Sequence, residues 1–122
     1  TSMPDSNRQA HFNDFITQLN TRNLAYLHIL EGDMMAETRN VNYRALRDAY
    51  KGVYMANNGY DKTRAQAAIT NGDCDLVAFG VPFLANPDLV QRFKTDAELN
   101  TPDQDTFYGG DEKGYTNYPT LA

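Results

Sequence analysis

Two segments of this chain end apolar, strand-like runs in residues that can present backbone amides to an anion. Val53-Tyr54-Met55-Ala56 stops at Asn57-Asn58-Gly59, and Leu76-Val77-Ala78-Phe79 stops at Gly80-Val81. Glycine lets a backbone approach a ligand closely, and asparagine tolerates positive φ while carrying an amide donor. Backbone N–H groups in such turns line concavities that hold phosphate. Beyond Gly80-Val81 a short link leads to a helix start, where Asn86 reads as the N-cap, Pro87 as the first helical position and Asp88 as a first-turn acid. A glycine after a strand is first of all a turn, so the reading depends on the elements around it.

Other reactive side chains offer less. His28 lies between Leu27 and Ile29 in an apolar run, where a hydrogen-bonded structural imidazole is expected, and His11 reads as a helix-surface residue. Glu31 and Asp33 stand two apart at a strand end and read as loop-bridging carboxylates before they read as an acid–base pair. There is no His or Cys pair at metal-ligand spacing and no serine in a nucleophile elbow. Cys74, the single cysteine, reads as a small buried thiol, which fits a reducing, cytoplasmic setting.

The composition is that of an ordinary globular chain, with 41% hydrophobic and 22% charged residues. A net charge of −5 with eleven scattered Lys and Arg argues against a nucleic-acid surface. No apolar run approaches the ~20 residues that span a bilayer, so no membrane role is expected. The opening Thr1-Ser2-Met3-Pro4-Asp5-Ser6-Asn7 reads as the middle of a polar loop, the expectation being a cut chain or fragment.

The elements follow from periodicity. Phe12, Phe15, Ile16 and Leu19 mark one face of a helix over roughly residues 8–21. Ala25-Tyr26-Leu27-His28-Ile29-Leu30 is a strand covered on both faces. A second helix places Tyr43, Leu46, Ala49 and Tyr50 on one face before the strand at Val53–Ala56. Asp61 caps a third helix carrying Ala65, Ala68 and Ile69, stopped by Gly72. After the strand at Leu76, a fourth helix runs from the Asn86 cap to about Lys94, and a loop-rich tail begins near Glu98.

Helix then strand, three times over, is the rhythm of parallel α/β architecture. The Gly-x-Gly-x-x-Gly fingerprint of a doubly wound sheet is absent. A (β/α)8 barrel needs about 250 residues, so the fold expected is the C-terminal half of a TIM barrel in one domain. Three such strands cannot close alone, and the remainder must come from another polypeptide, another copy or a removed segment. In barrels of this kind phosphate commonly sits after the seventh and eighth strands, which here would be the two glycine-bearing ends.

The run Leu76–Leu89, with its Ala85-Asn86-Pro87-Asp88-Leu89 block, and the tail Thr106-Phe107-Tyr108-Gly109-Gly110 with Gly114-Tyr115-Thr116-Asn117-Tyr118-Pro119 resemble the end of the Old Yellow Enzyme family of FMN-dependent alkene reductases. The resemblance extends from Leu24 to Pro119. It implies strands six to eight of the barrel, FMN as cofactor, NAD(P)H as reductant and an activated alkene such as an enone as substrate. By position, Asn57, Asn58 and Gly59 match the first phosphate loop of that family, and Gly80 and Val81 the second. Met34, Phe107 and Tyr108 match side chains lining the substrate pocket.

Two departures stand out. The second loop of the family usually reads Gly-Arg, whereas this chain has Val81, and the first usually has glycine where Asn58 stands. The Asn58 amide is expected to replace part of the lost donor, without its charge. The resemblance also places the groups that anchor the substrate carbonyl and deliver the proton upstream of Thr1. No catalytic residue is therefore assigned here, and the chain alone is expected to be inactive. The partner implied is the N-terminal half of the same barrel. The alternative is a non-catalytic phosphate- or flavin-binding half-barrel that covers its open face as a homo-oligomer.

Overall fold

Short apolar strands joined by helices can pair only in parallel, because each helix returns the chain to the same end of the sheet. The computed structural model, which describes residues 7–32 and 40–121, has this arrangement. In chain order the elements are α1 (Arg8–Leu19), β1 (Leu27–Leu30), α2 (Tyr43–Ala49), β2 (Tyr54–Asn57), α3 (Lys62–Thr70), β3 (Leu76–Ala78), α4 (Val81–Ala85), α5 (Leu89–Thr95) and a 3-10 turn at Gln104–Thr106. The strands form one parallel sheet in the order β1-β2-β3. The chain packs as two units divided after Ala78.

In the first unit the sheet register separates two kinds of side chain. Leu27 pairs with Tyr54, and Ile29 with Ala56 and then Val77. These residues pack with Ile16, Leu46, Tyr50, Ala68 and Cys74 from the helices and loops to form the core. The alternate rows are His28-Met55-Leu76 and Leu30-Asn57-Ala78. Side chains alternate across a strand, so both rows lie on the opposite face, where His28, Leu30 and Leu76 are exposed. The two-sided covering expected for Ala25–Leu30 is therefore not met among the described residues, and His28 is exposed on the uncovered face. The strand is also shorter than expected, beginning at Leu27.

Polar bonds fix the end of the sheet where its strands begin. Asn20 donates Nδ2 to the carbonyl of Ala49 at 2.8 Å and accepts from the N–H of Lys51 at 2.8 Å, tying α1 to the end of α2. Asp75 accepts from the N–H of Tyr54 at 2.8 Å and from Arg47 at 3.0 Å, so the start of β3 is pinned to β2. Asp61 caps α3 as expected, accepting from the N–H of Arg64 at 2.7 Å. Gly72 follows α3 at φ +74. Within this chain the apolar helix faces are only partly covered: Phe12 and Phe15 on α1 are 41% and 60% exposed, and Ile69 on α3 is 45% exposed.

The second unit departs from the sequence reading at its helix starts. The link after Gly80 is itself a helix, α4, and Asn86 is not a cap of the following one. Asp88 occupies the N-cap position of α5, with no side-chain cap bond. Asn86 is buried instead, donating to the carbonyl of Pro82 at 2.8 Å and accepting from the N–H of Asn100 at 2.7 Å. Asn100 donates in turn to the carbonyls of Ala85 and Pro119, each at 2.8 Å. The local signature of a cap is overridden by a tertiary partner that satisfies the same amide more fully.

Candidate functional site

The turn after β2 is built from two consecutive left-handed residues. Asn58 has φ +87 and Gly59 φ +67. Asparagine is one of the few side-chain-bearing residues that adopts this region readily, because its amide can bond locally. Here the Asn58 N–H donates to its neighbour Asn57 Oδ1 at 2.6 Å, and its Nδ2 donates to the carbonyl of Glu31 at 2.7 Å. The N–H of Glu31 in turn donates to the carbonyl of Asn57 at 3.1 Å. The Asn58 amide therefore ties the ends of β1 and β2 together through one of its two N–H groups.

Two residues not singled out from sequence complete this turn. Tyr60 donates its hydroxyl to Oε2 of Glu31 at 2.8 Å, and Glu31 is 5% exposed. Arg64 donates Nη1 to the carbonyl of Gly59 at 2.6 Å and lies 4.5 Å over the Tyr60 ring. The N–H of Gly59 has no partner among the described residues. The signal available in the sequence was the placement of an acid at the end of one strand and a tyrosine just past the end of the next. The expected bridging role of Glu31 is met. Asp33 lies outside the described residues.

In the second unit Gly80 has φ −88, so positive φ is not what calls for glycine there. A Cβ added at Gly80 would meet nothing within 4 Å, which leaves its backbone open to a ligand. The carbonyl of Gly80 accepts from the N–H groups of Phe83 and Leu84, both at 3.0 Å, as α4 begins. Val81 is 42% exposed and contributes no charge.

Of the pocket residues, Met34 lies outside the described residues. Phe107 and Tyr108 follow the 3-10 turn, with ring centroids 6.4 Å apart in an edge-on contact. Tyr108 is 92% exposed, and within its own unit nothing covers it. The loop is closed by Gly114, where φ is +71 and a Cβ would lie 1.8 Å from Thr106 Oγ1.

Elsewhere, Arg8, Phe12, His28, Leu30, Val41 and Tyr43 are among the lining of an open groove of about 590 Å³ beside β1. Burial raises the pKa of the Cys74 thiol, and the negative charge of Glu31 adds to that rise. Burial likewise pushes the Tyr54 hydroxyl up, with Glu31 second. Among the described residues no group of His, Cys, Asp or Glu could hold a metal, and no helix is long and apolar enough to cross a membrane.

The sequence model of the NADH:flavin oxidoreductase / NADH oxidase family matches residues 8–100. The chain is 41% identical to the 12-oxophytodienoate reductase-like protein of Solanum lycopersicum, over 96% of this chain and 32% of that protein. It is 39% identical to a probable flavin mononucleotide-dependent alkene reductase of Leishmania infantum, with 96% and 32% covered. Its backbone superposes on the old yellow enzyme of Trypanosoma cruzi with a TM-score of 0.92 at 40% identity, covering 99% of this chain and 32% of that one. The chain thus spans about a third of the length of the relatives it matches. These likenesses agree with the parallel sheet and helices described above in making the fold a partial α/β barrel.

Proposed function

The chain belongs to the NADH:flavin oxidoreductase / NADH oxidase family, and from that premise we propose that it forms part of an FMN-dependent NAD(P)H oxidoreductase that reduces activated C=C bonds. The observation that carries the proposal is the turn after β2. It is a left-handed pair at a strand end whose Gly59 N–H has no partner among the described residues. Such a turn suits a phosphate dianion, and the open space over Gly80 suits the approach of the same kind of group to a second strand end.

FMN, when bound, would supply the hydride-transfer chemistry between NAD(P)H and an electron-poor alkene. The role of this chain in that reaction is to bind and orient. The turn of Asn57, Asn58 and Gly59 would receive the phosphate end through the Gly59 N–H, while Gly80 and Val81 match a second phosphate loop by position, without a cationic side chain at position 81. Phe107 and Tyr108, which match pocket side chains of the family by position, would face the substrate. Anchoring of the substrate carbonyl and delivery of the proton fall to the remaining strands of the barrel, supplied by a further segment or polypeptide. A cytoplasmic setting belongs to the same proposal and is supported by the unpaired Cys74.

The test is to join the chain to the remaining strands of its barrel and to follow NAD(P)H oxidation with and without an enone. Enone-dependent oxidation that requires FMN is the expected result. A folded, FMN-loaded barrel that oxidises NAD(P)H at the same rate without an alkene contradicts the proposal.

A further inference from the structure

The turn at Asn57–Gly59 is held from behind by groups that are themselves buried or stacked. Glu31 grips it through its backbone at both atoms, its N–H on the carbonyl of Asn57 and its carbonyl on the Asn58 amide. The carboxylate of the same residue is fixed by the Tyr60 hydroxyl at 2.8 Å. Arg64 holds the carbonyl of Gly59 and packs on the Tyr60 ring. A planar trans peptide points its C=O and its N–H in opposite directions. The carbonyls of Asn57 and Gly59 share their peptides with the N–H groups of Asn58, itself bonded to Asn57 Oδ1, and of Tyr60, so anchoring both fixes the planes on either side of the one peptide that carries the Gly59 N–H. The side chain of Asn58, which could have competed for a ligand, is committed to the same anchoring.

We propose that Glu31 and Tyr60 are positioning residues for the phosphate-receiving turn and that Asn58 is the clamp between the turn and Glu31, so that the amide cradle is formed before any phosphate arrives. The proposal rests on the phosphate-loop reading given above. Preorganisation of this kind removes the ordering cost from the binding step, and its effect is confined to the phosphate end of the cofactor.

The probes are FMN and riboflavin, which differ by the phosphate alone, titrated into the complete barrel containing this chain. Tyr60→Phe removes the hydroxyl and no atom proposed to touch phosphate. It is expected to weaken FMN binding roughly tenfold while riboflavin binding stays as in the parent. Asn58→Gly is expected to act through the same turn, so the double variant should lose less than the product of the two single losses. If the parent prefers FMN but Tyr60→Phe binds both flavins as the parent does, the positioning role is refuted and the phosphate reading stands. Multiplying losses in the double variant would make Asn58 a direct ligand and refute the clamp. A parent with no preference for FMN refutes the phosphate reading and the clamp with it.

Discussion

Arg92 donates Nε to Oδ1 of Asp88 at 2.8 Å, with the two side chains 6% and 16% exposed, and both residues also bind the end of the chain. Asp88 Oδ2 accepts from the N–H of Leu121 at 2.7 Å, and Arg92 donates to the carbonyls of Glu98 and Pro119. The pair is a latch that docks the tail against α5. The N–H of Leu121 is the first cause, and Arg92 the second, of an Asp88 pKa held below its ordinary value. A carboxylate depressed on folding stabilises the folded state above its unfolded pKa of about 3.9 and loses that contribution as pH falls through the folded value. Protection of the Leu121 amide from hydrogen exchange is therefore expected to persist to the bottom of the ordinary carboxylate range and to be lost only below it, and Asp88→Asn to lose it already at neutral pH. Removing the guanidinium with Arg92→Leu leaves the Asp88 carboxylate and the carbonyls of Glu98 and Pro119 without their donor and is expected to lower the midpoint of chemical denaturation.

Gly114 is predicted to be intolerant of any side chain. Its φ of +71 and the 1.8 Å approach of a Cβ to Thr106 Oγ1 act together. Gly114→Ala should destabilise the tail loop by about 2 kcal/mol, measured by thermal unfolding. Thr106→Ala in the same background should recover the steric part and leave the backbone part. Equal stability of Gly114→Ala and the parent would refute this.

Tyr54 is fully buried, and its hydroxyl has no hydrogen-bond partner among the described residues. An unsatisfied buried hydroxyl carries a desolvation cost without a return. Tyr54→Phe is accordingly expected to leave the melting temperature unchanged or to raise it. A loss above about 1 kcal/mol would mean that the hydroxyl has a partner.

Cys74 is 2% exposed, and burial raises its pKa. The thiolate is the reactive form, so a thiol reagent at pH 8 should label the native protein slowly and the denatured protein at once. Equal rates in the two states would place the thiol at the surface.

Val81 stands at the start of α4, where a guanidinium would add a charge-assisted bond to a phosphate. Such a bond contributes roughly 1.5–3 kcal/mol, or about ten- to a hundredfold in affinity. Val81→Arg is therefore expected to tighten FMN by that factor and to leave riboflavin unchanged. Equal FMN affinities in the variant and parent would remove position 81 from the phosphate site.

The parallel sheet, α1 to α3 and the Asp61 cap were legible in the sequence because each is fixed by local pattern. Ile16, Leu46 and Ala68 each belong to a helically spaced apolar set on their own helix and are buried, and Asp61 caps the Arg64 N–H. The second unit was less legible. Asn86-Pro87-Asp88 has the form of a helix start, yet Asn86 bonds Pro82 and Asn100, the latter fourteen residues away. Likewise α4 is a single turn whose residues carry no amphipathic period to read. At the candidate site the glycine-bearing ends were visible, but the commitment of Asn58 to Glu31 was not, since it depends on the register that brings β1 beside β2. The exposure of His28 in this chain has the same origin, since the register sets it on the sheet face opposite the core.

The most direct test of the central claim is a crystal structure of the complete barrel containing this chain with FMN bound. The account predicts phosphate oxygens within hydrogen-bond distance of the N–H of Gly59, with the Asn58 amide still on the carbonyl of Glu31. A phosphate seated away from the turn after β2, with the Gly59 N–H turned to solvent, would contradict it.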